Sequence, residues 1–448
     1  MMTGKWQLNR RALIGGATAT TFAATSGISF AAQPVLAPTP PMGWNSWNSF
    51  ATTITEAQAV ENAHIMADKL LPSGYDVFTV DIQWYEPNAD GYNYRKDAPL
   101  TMDGNGRLLP APNRFPSSEN GKGFKPLSDQ VHKMGLKFGV HIMRGIPRQA
   151  VAQNVPILGT TVRAQDIANT NSTCTWNGDM YGVDMTKPGA QAYYNSVFKL
   201  FADWGVDFVK MDDMSRPYGD NWREIEAAHK AIAASGRPMI LSLSPGETDL
   251  NWAHHVPKYA QMWRISDDFW DDWKLLRDQF QRLENWNPYR KPGAWPDADM
   301  LPLGLLAMGQ RKTKFTPDEQ QTLMTLWSIA RSPLIMGGDL RAMDQATLDL
   351  LTNPEVIAVN QKSSNNRVLF KRDGQIGWIA DAPKGRYLAL FNISDQPKAV
   401  SELFKLMGLK NKVKVRDIWA RKDLRVMDTA LKTELRPHAS AFYHLTSA

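Results

Sequence analysis

Cysteine is almost missing from this chain: Cys174 is the only one in 448 residues. A single thiol can neither close an intrachain disulfide nor build a cysteine-based zinc site. Long apolar runs are also missing. Beyond residue 32 no uncharged stretch approaches the roughly 20 residues a membrane-spanning helix needs, so the mature chain is expected to be soluble, with no membrane partner. Phosphate and zinc chemistry lack their sequence marks. The first apolar run reads Met42-Gly43-Trp44-Asn45, which is no glycine-rich phosphate turn, and Gly121 with Gly123 lacks the third glycine and follows no strand. No His-Glu-x-x-His helix and no serine elbow of the hydrolase type occurs. The net charge of +6 is spread thinly, the densest clusters being Lys410-Asn411-Lys412 and Arg421-Lys422. That describes a solvated surface, not a nucleic-acid face. No cofactor is implied.

Tryptophan, in contrast, is abundant, with 16 residues. A flat apolar indole can stack on the C–H face of a pyranose while its N–H donates, so surplus indoles suit sugar clefts as well as large cores. The N-terminus reads as an export signal over residues 1–32. Lys5, Arg10 and Arg11 form a positive head, an uncharged stretch begins at Ala12, and Ser29-Phe30-Ala31-Ala32 supplies small residues for cleavage. The paired arginines, followed by Leu13 and Ile14, resemble a twin-arginine signal, which places the mature protein in the periplasm or outside the cell.

From residue 33 to 364 short apolar runs alternate with amphipathic stretches. Strands are predicted at Met42–Trp47, Tyr75–Val80, Lys137–Ile142, Asp207–Met211, Met239–Ser242, Gln261–Arg264, Gly293–Trp295 and Pro333–Met336. Helices are predicted at Glu56–Leu70, Phe124–Met134, Ala190–Trp204, Trp222–Ala234, Trp273–Trp286 and Asp318–Ala330. Eight such alternations predict an α/β protein with a parallel sheet covered by helices, closed as a (β/α)8 TIM barrel. From 365 to 448 the runs shorten and turn residues separate them, as at Arg372-Asp373-Gly374 and Pro383-Lys384-Gly385. This predicts a small C-terminal antiparallel β-sandwich.

The informative pattern is where acids fall. Several predicted strands run into aspartate: Thr79-Val80-Asp81, Lys210-Met211-Asp212-Asp213, Arg264-Ile265-Ser266-Asp267-Asp268 and Trp295-Pro296-Asp297-Ala298-Asp299. One acid at a strand end is commonly a helix cap. Four converging on a barrel mouth, with Lys210 and Arg264 on the same strands to offset repulsion, suit either a divalent cation or glycoside hydrolysis by a carboxyl pair. The aromatic surroundings, Trp44, Trp47, Trp84, Trp176, Trp263 and Trp295, favour the sugar.

The segment Pro41-Met42-Gly43-Trp44-Asn45-Ser46-Trp47-Asn48 resembles the opening signature of glycoside hydrolase family 27, the α-galactosidases and α-N-acetylgalactosaminidases. Asp207–Asp212, Trp263–Asp268, Trp295–Leu301, Arg331–Leu340 and Asn353–Gln361 extend the resemblance over nearly the whole mature chain. It implies a retaining glycosidase with a carbohydrate substrate, releasing terminal α-D-galactose. Asp212 would be the nucleophile and Asp268 the acid/base, with carboxyls typically about 5 Å apart. It also implies that Trp47, Asp81, Lys210, Arg264 and Asp299 line the sugar pocket, with His141, where the family often has tyrosine, either at its edge or as a satisfied core histidine. Trp84 and Trp176 are expected on the same sugar-facing surface. Cys174 matches a family cysteine whose usual partner position is Asp213 here, so a free thiol lining the cleft is implied. Neighbouring residues at a strand end point to opposite sides, so only one of Asp212/Asp213 and one of Asp267/Asp268 is expected to face substrate.

Two departures bear on the sugar. Many family members carry two consecutive acids where this chain has Asp81-Ile82, and isoleucine cannot accept a hydrogen bond from an exocyclic hydroxymethyl. This raises β-L-arabinopyranose, galactose-shaped but lacking that group, as the alternative at the cleaved terminus. The loop Ser244-Pro245-Gly246-Glu247 also departs from the family's usual aromatic-rich form.

Overall fold

Residues 35–409 and 412–448 are described by a computed structural model; the expected export signal lies outside the described residues. Eight short strands follow the predicted apolar runs: β1 (Met42–Asn45), β2 (Val77–Val80), β3 (Lys137–Met143), β4 (Phe208–Asp212), β5 (Ile240–Leu243), β6 (Met262–Arg264), β7 (Trp295–Asp297) and β8 (Leu334–Met336). They form one sheet in the order β7-β6-β5-β4-β3-β2-β1-β8, every neighbouring pair parallel. Leu301, just past β7, closes the ring. It bridges Met336 in parallel register, its N–H donates to the Ile335 carbonyl at 2.7 Å, and its carbonyl accepts from Gly337 at 3.0 Å. The architecture is the (β/α)8 barrel.

The alternation of side chains along a strand sets the interior in layers. Val77, Phe208, Ile240, Met262, Trp295 and Ile335, with Met300, form an apolar cluster of their own at the start of the strands. Two residues further along stand Thr79, Lys210, Ser242 and Arg264, and beyond them Asp81, Asp212 and Ser244. Apolar side chains thus fill the base and polar ones the mouth. β7 begins two residues later than predicted, because Gly293 takes a φ of +82° in a turn that bridges Lys291 and Ala294.

The covering helices obey their caps. Helix Glu56–Ile65 starts at Thr55 and helix Pro317–Ala330 at Thr316; each cap forms a capping box, with Gln58 and Glu319 respectively. Helix Ala190–Trp204 stops at Gly205, whose φ is +81°. After β3 the chain makes an unforeseen three-stranded antiparallel patch from Ile146–Pro147, Ala168–Thr173 and Met180–Val183. Its polar, intermittently exposed residues give no apolar alternation to read.

The C-terminal segment is antiparallel. Strands Ser364–Arg372, Gln375–Asp381, Arg386–Asn392, Ser440–Ser447, Val413–Asp417 and Lys422–Asp423 make one sheet in that order, and Lys398–Leu403 pairs with Ala430–Leu435. Ile379, Leu388, Leu390, Val400, Val415 and Leu431 fill the space between. This segment is seated on the barrel. His438 binds Glu319 at 2.7 Å and stacks on Trp273 at 3.8 Å, and Trp419 donates to Thr325 at 2.9 Å.

Candidate active site

At the ends of the barrel strands lies a cavity of about 390 Å³. Its floor is polar: Asp81 from the end of β2, Lys210 and Asp212 from β4, Arg264 from β6. Its walls are Trp47, Tyr94 and Trp176, with Ile82, Ser244 and Pro245; Arg216, Asp267 and Asp268 stand at the rim. Asp212, at the end of β4, and Asp268, in the loop past β6, therefore open into the same space.

Each carboxylate is held by its own donors. The Asp212 Oδ2 lies 3.0 Å from His141 Nε2, and its Oδ1 accepts the Asp213 N–H at 2.6 Å. Asp268, about half exposed, accepts from Arg264 at 2.9 Å. Asp81 is buried and takes Lys210 at 2.8 Å and Asn45 at 2.7 Å. Burial would push its carboxyl up, but Lys210 and His141 outweigh this and hold it below the ordinary carboxylate value. Burial would likewise push Lys210 down. The carboxylates of Asp81 and Asp212 reverse that and hold its ammonium above the ordinary value. Arg264 is buried too, and Asp299 at 2.7 Å together with Asp268 keeps it charged.

The two ambiguous pairs separate differently. Asp213 turns away from the cavity, with a φ of +60°, into a buried network in which Arg144 binds it at 2.7 Å and Glu224 at 2.7 Å. Burial pushes its carboxyl up to about 6, with Arg144 pulling the other way. Asp267 was expected to point away from the cavity, yet it also lines the rim, in an exposed ion pair with Arg216 at 2.6 Å. The reason is that both acids lie in the loop past β6, where strict alternation has ended.

Of the expected lining residues, Trp47, Asp81, Trp176, Lys210 and Arg264 meet at the cavity; four do not line it. Trp84 is fully buried, donates to the His141 carbonyl at 2.7 Å and packs on Phe124 and Trp204. His141 has no exposed surface and sits behind Asp212, not at an edge. Cys174 is a free, buried thiol, pushed up to about 12 by burial first and Asp213 second. Asp299 backs Arg264 and accepts the Phe269 N–H at 2.7 Å. Trp44, Trp263 and Trp295 are likewise core residues with no exposure.

Tyr94 and Arg216 were not foreseen. Tyr94 stands in the long loop after β2 and faces Trp47 nearly parallel, centroids 6.3 Å apart; no local pattern marks it. Arg216 had a faint signal, a cation four residues past Asp212. Among the described residues no group of three or more His, Cys, Asp or Glu side chains is arranged to hold a metal ion. Chemically, the site offers an ionised carboxyl-and-cation floor, a second carboxyl at the rim and aromatic walls. That suits attack at one carbon of a polar ring and protonation of the substituent oxygen that leaves it.

The sequence pattern of the family described as "Alpha galactosidase A" matches residues 39–184 and 177–362, and that of the "Alpha galactosidase C-terminal beta sandwich domain" matches 373–445. The chain is 31% identical to Alpha-galactosidase 2 of Arabidopsis thaliana, over 92% of this chain and 90% of that protein. It is 30% identical to the alpha-galactosidase of Coffea arabica, over 91% and 94%. Among solved structures it resembles the GH27 β-L-arabinopyranosidase of Geobacillus stearothermophilus, at 51% identity and a TM-score of 0.91, covering 92% of this chain and 97% of that one. A second structure of that protein holds arabinose.

Proposed function

This chain belongs to glycoside hydrolase family 27, the melibiase-like α-galactosidase family, and is a glycosidase; from that premise we propose that it releases terminal α-D-galactose by double displacement between Asp212 and Asp268. The observation that carries this is the shared cavity, into which both carboxyls open over a floor of paired Lys210–Asp81 and Arg264–Asp299. Asp212 attacks the anomeric carbon as the bond to the leaving oxygen breaks. Asp268 gives that oxygen its proton, and a glycosyl ester remains on Asp212. Water then attacks the same carbon, Asp268 takes the water's proton, and the ester bond breaks to regenerate the Asp212 carboxylate. Two inversions leave the anomeric configuration unchanged.

The charge layout fits these roles. The Asp212 carboxylate already accepts from His141 and the Asp213 N–H, so its aim is fixed before substrate arrives. Asp268 is the more exposed of the two, on the side where a leaving group must depart.

A second reading has one specific observation in its favour. Ile82 forms part of the cavity wall and offers no acceptor. A buried hydroxymethyl hydroxyl left unpaired costs about 1–3 kcal/mol, so β-L-arabinopyranosides, which lack that group, are the faster substrates on this reading. The solved relative at 51% identity is named for that sugar. Export through the Arg10-Arg11 leader completes the proposal, and changing both arginines to lysine would trap the chain in the cytoplasm.

The catalytic assignment is tested by two variants. Asp212→Asn abolishes turnover with the fold intact. Asp268→Asn loses most on poor leaving groups and regains activity on activated aryl glycosides when azide is added. Unchanged activity in either variant removes that residue from the mechanism.

A further inference from the structure

We propose that Arg144 is a positioning residue for the first displacement: it holds the backbone at Asp213 so that the Asp213 N–H fixes the nucleophilic carboxylate of Asp212. This rests on the glycosidase reading above and deepens it by naming a buried residue that acts through its neighbour. The ground is a chain of contacts. The Asp212 Oδ1 accepts the Asp213 N–H at 2.6 Å. Asp213 itself has a φ of +60°, in the left-handed region that residues with a Cβ rarely adopt. Such a conformation persists only where its surroundings over-determine it, and here one side chain does most of that. Arg144 Nε donates to the Asp213 carbonyl at 3.0 Å, and Nη2 to its Oδ2 at 2.7 Å. The Arg144 N–H donates to the Asp212 carbonyl at 2.9 Å, one step beyond the pairing of Met143 on β3 with Asp212 on β4. The peptide whose N–H meets the nucleophile is thus held on its carbonyl side by the Arg144 backbone, and the residue after it by the Arg144 side chain.

The grip is itself anchored. Arg144 Nη1 donates to Glu224 at 2.7 Å and to Ser172 Oγ at 3.0 Å. Glu224, on helix Tyr218–Ser235, also takes the Tyr194 hydroxyl and the Val183 N–H. Asn221, three residues earlier on the same helix, donates to the Asp213 carbonyl at 2.9 Å. Arg144, Asp213 and Glu224 are each 5% exposed, so water offers no ready substitute for a lost bond. Burial opposes the Arg144 charge, but Glu224 and Asp213 outweigh it and keep the guanidinium ionised. A planar guanidinium serves these four acceptors at once; an ammonium at a single point does not.

The test uses the full chain and a p-nitrophenyl glycoside of the terminal sugar it cleaves. Arg144→Lys keeps the charge and loses the fork. Its kcat/KM is expected to fall about tenfold or more, the scale of a misaimed reacting group, while Ki for the free monosaccharide stays within about twofold. Asn221→Ala, which strands no charge, is expected to show the same pattern at about threefold. The decisive arm removes the nucleophile. In Asp212→Gly, added azide attacks the anomeric carbon as p-nitrophenolate leaves, and the glycosyl azide forms with no carboxylate for Arg144 to aim. Adding Arg144→Lys to that variant is expected to leave the azide-dependent rate within about twofold. A further loss there as large as in the wild-type background means that Arg144 supports the fold in general, and overturns the proposal. Wild-type kcat/KM in Arg144→Lys or in Asn221→Ala overturns it as well. A wild type that cleaves no p-nitrophenyl glycoside would instead remove the glycosidase reading, so the two ideas fail separately.

Discussion

His141 Nε2 lies 3.0 Å from Asp212 Oδ2, and the imidazole that makes this contact has no exposed surface. Its other nitrogen, Nδ1, has no hydrogen-bond partner among the described residues. A buried polar atom left unpaired is a cost, and what it accompanies is a fixed donor on the nucleophilic carboxylate. His141 therefore acts as a positioning residue. His141→Phe is expected to lower kcat by about 10- to 100-fold while KM moves little, the scale of one hydrogen bond to a charged group. His141→Gln, which keeps a donor, recovers part of the loss. If Phe and Gln lose kcat equally, the contact does not position Asp212.

Ile82 makes the sugar preference testable at one side chain. On the galactosidase reading p-nitrophenyl α-D-galactopyranoside is the faster substrate; on the second reading p-nitrophenyl β-L-arabinopyranoside is faster by about fivefold to 100-fold, the cost of one unpaired hydroxyl. Ile82→Asp supplies an acceptor and shifts the ratio towards the galactoside. A variant whose ratio stays at the wild-type value would place the discrimination elsewhere in the cavity.

Stability should fall as pH rises towards neutrality. Burial, then Asp299, pushes the Asp297 carboxyl up to about 7, and burial pushes Asp213 up to about 6. The folded chain thus holds these protons more tightly than the unfolded chain, whose carboxyls titrate near 4. Stability from both groups is complete below the unfolded value and is lost as pH climbs through 6 to 7. Asp81, held low, acts in the opposite sense and only at the acid end, so it does not alter this window. Thermal melts of the wild type are expected to show a lower Tm at pH 7.5 than at pH 5. Asp297→Asn should narrow that gap, and an identical gap in the variant would contradict the assignment.

Much of the barrel was legible because each strand is a short apolar run buried on both sides, and because inward residues alternate. The parity that sends Phe208 to the base, Lys210 to the middle and Asp212 to the mouth can be read from the order of letters alone. The indoles could not be sorted that way. Trp44 finds the Gly338 carbonyl, 294 residues distant, and Trp84 finds that of His141; both N–H groups are satisfied in the core by partners no local window contains. Tyr94 was hidden for a related reason: the long loop after β2 brings it to face Trp47, and no local pattern marks it. Strands Lys398–Leu403 and Ala430–Leu435 escaped notice because each mixes charges into its alternation as part of a two-stranded edge.

The central claim, that Asp212 forms the glycosyl ester while Asp268 faces it across the cavity, is tested most directly by covalent labelling. A galactose-configured cyclophellitol opens its strained ring on the nucleophile and leaves a permanent ester, which peptide mass spectrometry can locate. The account predicts one label per chain, on Asp212, and none in the Asp212→Asn variant. A label on Asp213, Asp267 or Asp268, or labelling that persists in Asp212→Asn, would contradict it.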